Sequence, residues 1–231
     1  MSSRSQSRAA LLARGDSDLA KVEAGYKASL QARAIAVGLK IDIKNLCENL
    51  RSVLDYLAHD IRANHCPMTK PPKWFYFPIL SDRTQFEAQV DRWYPGLRIA
   101  SPKLWSYLES IQPYQPGREW LDKFNRLNNE NKHGDLLEQT RVETCEILTT
   151  SSGGTKVSWN PASVKFGPGV SIAGVPVDPL TQMPVPHPSM KVEQIMWVDF
   201  RFAELNVSAL WLLKTAAAGI REMAAEIEQH I

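Results

Sequence analysis

Residues 39–61 read LKIDIKNLCENLRSVLDYLAHDI, and the apolar side chains of this stretch recur every three or four positions. Such spacing places them on one face of an α-helix. A second stripe with similar spacing lies upstream, at Leu19, Val22, Tyr26 and Leu30. We therefore predict helix over 16–64. Because one unbroken helix of that length would extend for about 70 Å, we expect a break near Gly38 or Lys44.

Three further helices are predicted downstream, at about 82–92, 102–110 and 117–133, where suitable capping residues accompany helical spacing. After residue 140 the apolar spacing changes from 3.6 to 2, which is typical of β-strands. We expect strands at about 141–150, 155–159, 164–166, 170–175 and 192–200. A final stripe with helical spacing predicts a C-terminal helix over 203–230.

These patterns predict an α+β protein that is predominantly α. Helices within 16–135 and 203–230 are expected to form a bundle, with a β-rich insertion over 140–200 between them. The chain has 231 residues, of which 44% are hydrophobic, so we expect a single domain with one sizeable core over 16–231. Residues 1–15 carry arginines among serines and alanines, and we predict a disordered basic tail there.

Composition limits the classes of function. The formal net charge of +2 gives no general electrostatic argument for nucleic-acid binding. The three cysteines, Cys47, Cys66 and Cys145, are far apart and lack Cys-x-x-Cys spacing, which favours a reduced cytoplasmic protein without a structural zinc site. No apolar stretch approaches the ~18 residues of a membrane span, so we expect no membrane partner, and no motif predicts a cofactor.

The most distinctive polar stretch is NRLNNENKHG, residues 125–134. Arg126 and His133 are seven residues apart, which places them within about 20° of each other on a helix. Metal-independent RNA cleavage needs a base for the 2′-hydroxyl proton and a cation for the charge that develops on the phosphate. Neutral histidine and arginine suit these two roles, so Arg126 and His133 are our candidate catalytic pair.

The same stretch offers further groups for a nucleic acid. Polar side chains that can bond phosphate or sugar are supplied by Asn128, Asn129, Asn131 and Lys132. A purely structural role is the alternative. Arg126 can pair with Glu130 one turn later, and Lys132 and His133 suit the negative end of a helix that closes at Gly134.

A second polar row lies on the long helix, at Glu48, Arg51, Asp55 and His59. Arg51 and Asp55 can form an ion pair, and Asp55 can orient His59. One interpretation is a solvated ladder of weak pairs. The other is that Arg51, Asp55 and His59 face residues 126–133 across the bundle and support the site there.

Two other features have simpler interpretations. His65 and Cys66 are adjacent, but a metal site usually needs at least three protein ligands, so we interpret them as loop residues and predict no metal site. The aromatic run at 74–77, WFYF, can stack single-stranded bases, although packing into the core is the simpler expectation.

Four blocks of the sequence resemble, in order, those of a broad set of uncharacterised bacterial proteins. They are NLRSVLDYLA at 49–58, FPI at 77–79, IQPY at 111–114 and LNNENKH at 127–133. In that set the blocks look like NLRSALDxLA, FPI, LQPY and LxNxDKHR.

The Arg-x6-His spacing is also similar to the signature of HEPN domains, helical bundles that often dimerise and include metal-independent endoribonucleases. This resemblance implies a HEPN-like bundle, a catalytic role for Arg126 and His133, single-stranded RNA as partner, and a homodimer. The alternative is a non-catalytic binding or scaffold protein whose polar cluster only ties helices together.

Overall fold

The computed structural model describes residues 3–32, 35–133, 139–202 and 205–231. The predicted class is confirmed at the level of α+β with mostly helix, since 55% of residues are helical and 15% lie in strands. The described helices are α1 Ser3–Ala32, α2 Val37–His65, α3 Arg83–Trp93, α4 Leu97–Ala100, α5 Pro102–Ser110, α6 Trp120–His133 and α7 Ala209–Glu228. None of these is both long and apolar enough to cross a membrane.

The first two helices pack together as a hairpin. The apolar stripe of α2 is buried as predicted, and the small face of α1 allows close approach, with Gly25 against Leu39 and Gly15 against Leu50. The predicted break near Gly38 is confirmed, since α1 ends at Ala32 and α2 begins at Val37. Gly38 therefore lies inside the first turn of α2, where a glycine is tolerated and does not by itself end a helix.

The predicted disordered tail is contradicted by the structure. Helix α1 begins at Ser3, and Arg8 is only 3% exposed, with its guanidinium bonded to Asp60 of α2 and Glu228 of α7. Arg4 also donates to Asp60, at 2.7 Å. The arginines are therefore paired with carboxylates of distant segments, and no local pattern in residues 1–15 indicates those partners.

The last helix completes the helical unit by packing on α1, α2 and α6. It begins later than the predicted residue 203 because Val207 and Ser208 form strand β7, which pairs with Arg201 and Phe202 at the end of strand β6. The Ser208 hydroxyl then caps the helix by accepting a hydrogen bond from the Trp211 amide, at 3.3 Å.

The chain folds into two compact units, residues 1–140 with 201–231, and residues 141–200. The sequence predicts one domain, but the second unit has its own apolar cluster, formed by Ile147, Trp159, Ile172, Val175, Val177 and Met190. The strands are β1 Gln139–Ser151, β2 Lys156–Trp159, β3 Ser171–Ile172, β4 Val175–Asp178, β5 Met183–Pro184, β6 Met190–Phe202 and β7 Val207–Ser208. The period-2 pattern thus locates the β-rich insertion, but it does not reveal a separate core.

Strand pairing in the second unit is antiparallel. Strand β1 lies between β2 and β6 in one sheet, with Ile147 opposite Trp159, and β4 lies between β3 and β5 in another. The predicted strand at 164–166 is absent, because these residues form no ladder. Gln182 holds that segment instead, bonding both the amide and the carbonyl of Phe166.

A glycine allows α6 and α7 to approach closely. A Cβ added to Gly219 would lie closer than 3.0 Å to the ring of Trp120, which is 5% exposed. We predict that Gly219→Ala destabilises the protein by about 1–3 kcal/mol, because a buried ring must be displaced. Gly38→Ala is the matched control, since a Cβ there meets no atom within 4 Å and the helical propensity gain is similar. Equal midpoints of urea denaturation for the two variants would contradict the prediction.

Candidate functional site

The site is organised around the extended segment Phe77–Leu80, which is part of the connection from α2 to α3 and pairs with no strand. Its backbone polar groups are bonded by side chains instead. The Phe77 amide donates to Asp55 Oδ1 at 3.1 Å, and the Phe77 carbonyl accepts from Arg51 Nη2 at 3.4 Å. Both groups come from α2, so one helix holds both polar groups of this residue.

Gln112, in the corner between α5 and α6, holds the other end of the segment. Its Nε2 donates to the carbonyls of Pro78, at 3.1 Å, and Leu108, at 2.8 Å, while its Oε1 accepts from the Leu80 amide at 2.9 Å. The side chain is fully buried. The Gln112 side chain forms three hydrogen bonds, so most of its donors and acceptors are paired although the amide is buried.

Arg51 connects the segment to α6. Its Nη1 donates to Asn125 Oδ1 at 2.8 Å, and its Nη2 lies 3.2 Å from Asp55 Oδ1. The Arg51 side chain is 8% exposed, so this pair is not the solvated ladder of the first interpretation. Arg51 does reach α6 across the bundle, but its partner there is Asn125, which lies one residue before the predicted 126–133. Asp55 bonds Phe77 and Arg51, and within the described part of the chain it has no bond to 126–133.

His59 does not join this group. Its ring packs edge-on against Phe75, with 5.1 Å between centroids. Partial burial, assisted by the Arg4 cation and opposed by Asp55, lowers the pKa of His59 below its usual value. Among the described side chains, the His59 ring contacts an aromatic residue of the loop after α2 and no residue of α6.

A cavity of about 540 Å³, which we call the α6 cavity, lies beside this network. Its lining combines three aromatic residues, two amides, a guanidinium and one aliphatic side chain: Tyr76, Phe77, Trp93, Asn125, Asn129, Arg51 and Ile79. Its volume is within the range of small-molecule sites. Residues that hold the extended segment therefore also form one wall of the α6 cavity.

The predicted nucleic-acid ligands on α6 have different environments. Asn129 is exposed and lines the α6 cavity, as a ligand residue should. Asn128 is 0% exposed and faces the protein interior, so its predicted ligand role is wrong for this conformation. Asn125 was not among the predicted ligands but lines the cavity. Its spacing of four residues from Asn129 was the available signal.

Arg126 and His133 share the helix that the sequence predicts for them. Arg126 is exposed, and among the described side chains it forms no ion pair with Glu130, the pair that the structural interpretation offered for it. Helix α6 includes the backbone of residue 133. The predictions for the side chains of Asn131, Lys132 and His133, and for Gly134, lie outside the described part of the structure.

The aromatic run at 74–77 is divided between the core and the surface. Phe75 and Phe77 are buried, whereas Trp74 is 66% exposed and Tyr76 is 44% exposed. Core packing, the simpler expectation, therefore holds for alternate residues only. Successive side chains of the run thus lie alternately at the surface and in the core.

Within the described residues, no cluster of three or more His, Cys, Asp or Glu side chains is arranged to hold a metal ion. No family model matches the sequence, and no curated protein or solved structure is significantly similar to it. Functional inference therefore rests on the geometry of α6 and its surroundings.

We predict that Asp55→Ala lowers the free energy of unfolding by about 2–3 kcal/mol, because it leaves the Phe77 amide without its acceptor and the buried Arg51 guanidinium without its carboxylate partner. Glu48→Ala is the matched control. Glu48 also forms an i,i+4 pair on α2, with Lys44 at 3.9 Å, but the two side chains are 41% and 39% exposed and the pair should contribute about 0–1 kcal/mol. Similar losses in chemical denaturation of the two variants would show that Asp55 is an ordinary surface carboxylate.

Proposed function

We propose that this chain binds single-stranded RNA at the exposed face of α6 and the adjoining cavity, and that it is a HEPN-like, metal-independent endoribonuclease. The observation that carries the proposal is the state of Arg126, which is exposed and has no ion-pair partner among the described side chains. A cation that is not neutralised by its own helix is available for a phosphate. Asn129, exposed one turn away, offers a neutral donor and acceptor to the same ligand.

The proposed reaction uses the 2′-hydroxyl of RNA as its nucleophile. His133, as the neutral imidazole, takes the proton from this hydroxyl. At the same time the 2′-oxygen forms a bond to the adjacent phosphorus. The bond from phosphorus to the 5′-oxygen breaks, and the leaving oxygen takes a proton from water. Arg126 stabilises the charge on the phosphate oxygens during this exchange. The products are a 2′,3′-cyclic phosphate and a 5′-hydroxyl.

The resemblance to HEPN domains also underlies our proposal of a homodimer. The apolar stripes of α2 and α7, which are broad for one small core, pack against each other and against α1 within one chain. They therefore do not need a second copy to be buried. The dimer remains a prediction from resemblance, and light scattering that gives a mass near 26.0 kDa at all concentrations would contradict it.

A non-catalytic scaffold is the second candidate, and one observation favours it. Part of the polar cluster is structural, since Arg51 bonds both Asp55 and Asn125, and Arg51 and Asp55 bond the Phe77 backbone. A scaffold predicts that substitutions at α6 change stability, whereas an enzyme predicts that His133→Ala changes activity and leaves the folded state unchanged.

We predict cleavage of labelled single-stranded RNA in the presence of EDTA, with 2′,3′-cyclic phosphate ends. Both Arg126→Ala and His133→Ala should reduce the rate by at least about 100-fold, because each removes a group that acts in the transition state. Arg92→Ala, which removes an exposed arginine of α3, is the matched control and should leave the rate unchanged. If the wild type does not cut at micromolar concentration, or cuts as fast as His133→Ala, the catalytic proposal is wrong.

A further inference from the structure

We infer that Trp74 and Tyr76 form a stacking surface for the bases of the bound strand, and that the α6 cavity receives one of those bases. This inference rests on the proposed function, because it specifies how the RNA of that proposal is held. It adds a base-binding subsite to the phosphate-binding role of Arg126.

The first observation is that two large aromatic side chains are presented to solvent by a firmly held backbone. Trp74 and Tyr76 are exposed, while the intervening Phe75 is 8% exposed and packs edge-on against Tyr94, with 5.4 Å between ring centroids. Phe77 is held through its backbone by Arg51 and Asp55. A surface ring on such a support loses little conformational entropy when a base stacks on it.

The second observation is that positive groups accompany both rings. Lys73 Nζ lies 5.5 Å from the centroid of the Trp74 ring, and Arg51 Cζ lies 6.0 Å from that of Tyr76. These cations occupy one side of each ring, so a ligand would stack on the other side. Aromatic rings interspersed with cations are the combination that binds single strands without reading a particular sequence.

The third observation is the composition of the α6 cavity next to Tyr76. Trp93 and Tyr76 provide flat walls for a base, while Asn125 and Asn129 provide polar groups for its edge. Because Asn125 Oδ1 accepts from Arg51, the amide NH₂ of Asn125 remains to donate to a carbonyl of the base. The volume of about 540 Å³ leaves room for the attached sugar as well.

A peptide is a less suitable occupant on the same observations. Exposed aromatics also bind proline-rich peptides. Lys73, however, is exposed beside Trp74, and its charge matches a strand that carries a phosphate at every residue better than it matches an uncharged proline-rich segment.

The test compares two oligonucleotides with equal charge. Binding of the full chain to a fluorescein-labelled, 2′-O-methylated RNA of about 12 nucleotides would be measured by anisotropy, beside an abasic oligomer of equal length. The methylated strand cannot be cleaved through its 2′-oxygen. We expect the base-containing strand to bind at least about 10-fold more tightly, since only this strand has bases to stack on the two rings.

Variants assign this preference to the two rings. Trp74→Ala and Tyr76→Ala should each reduce the preference for bases, whereas Tyr76→Phe should retain it because the ring remains. Trp211→Ala is the matched control, since Trp211 is a 49% exposed tryptophan on α7. Arg126→Ala should weaken binding of both oligomers equally, because it removes a phosphate contact. Thermal denaturation would verify that each variant is folded.

The outcomes separate this inference from the function on which it rests. If the wild type binds both oligomers equally, or if Trp74→Ala and Tyr76→Ala retain the full preference, the stacking surface is wrong and RNA binding stands. If the wild type binds neither oligomer at micromolar concentration, both proposals are wrong. Binding of a proline-rich peptide that Trp74→Ala abolishes, without binding of either oligomer, would identify the surface as a peptide site and overturn the inference.

Discussion

The bonding of Phe77–Leu80 by side chains is the constraint on which the site depends. This segment runs beside the helical core without a neighbouring strand, so its peptide groups must find other partners. Asp55 and Arg51 from α2 satisfy the Phe77 peptide groups, and Gln112 bonds Pro78 and Leu80. Leaving one such group buried and unpaired costs about 1–3 kcal/mol, so these bonds fix where the segment lies.

The position of this segment determines the surface beside it. With Phe77 held at α2, Tyr76 faces solvent and lines the α6 cavity, and Arg51 reaches Asn125 on α6. Arg51 is thereby committed to structure, because Asp55 balances its charge and its donors are shared among Asp55, Asn125 and the Phe77 carbonyl. Arg126 differs in being exposed, which is why the two arginines are assigned different roles.

Local patterns in the sequence identify the helices and the β-rich segment because both depend on short-range periodicity. The stripe of α2 and the change of period after residue 140 are examples. The structure of the chain ends, and the contacts between residues that are distant in sequence, lack such a signal. The local sequence around Arg8 is typical of a solvated tail. Its partners, Asp60 and Glu228, are 52 and 220 residues away along the chain and come next to it only in the folded protein. The separate core of the second unit has the same explanation, since its members meet only after folding.

For the site, sequence blocks identify the important segments, but they do not identify the role of each residue. Asn128 and Asn129 are adjacent and chemically identical, yet one is buried and the other lines the α6 cavity, because neighbouring helical positions differ by about 100°. The aromatic run divides in the same way: Trp74 and Tyr76 face solvent, and Phe75 and Phe77 face the core. Whether each of these side chains is buried or exposed depends on how its segment is oriented against the rest of the protein, and the sequence alone does not show this.

Amide hydrogen exchange at Leu80 tests the central claim most directly. We expect this amide to exchange slowly in the wild type, because it donates to Gln112 Oε1, and to exchange about tenfold faster in Gln112→Ala. Gln115→Ala is the matched control, because the Gln115 side chain bonds the Glu109 carbonyl and no group of Phe77–Leu80. Exchange of the Leu80 amide at the rate of an exposed loop in the wild type, or an unchanged rate in Gln112→Ala, would contradict the account.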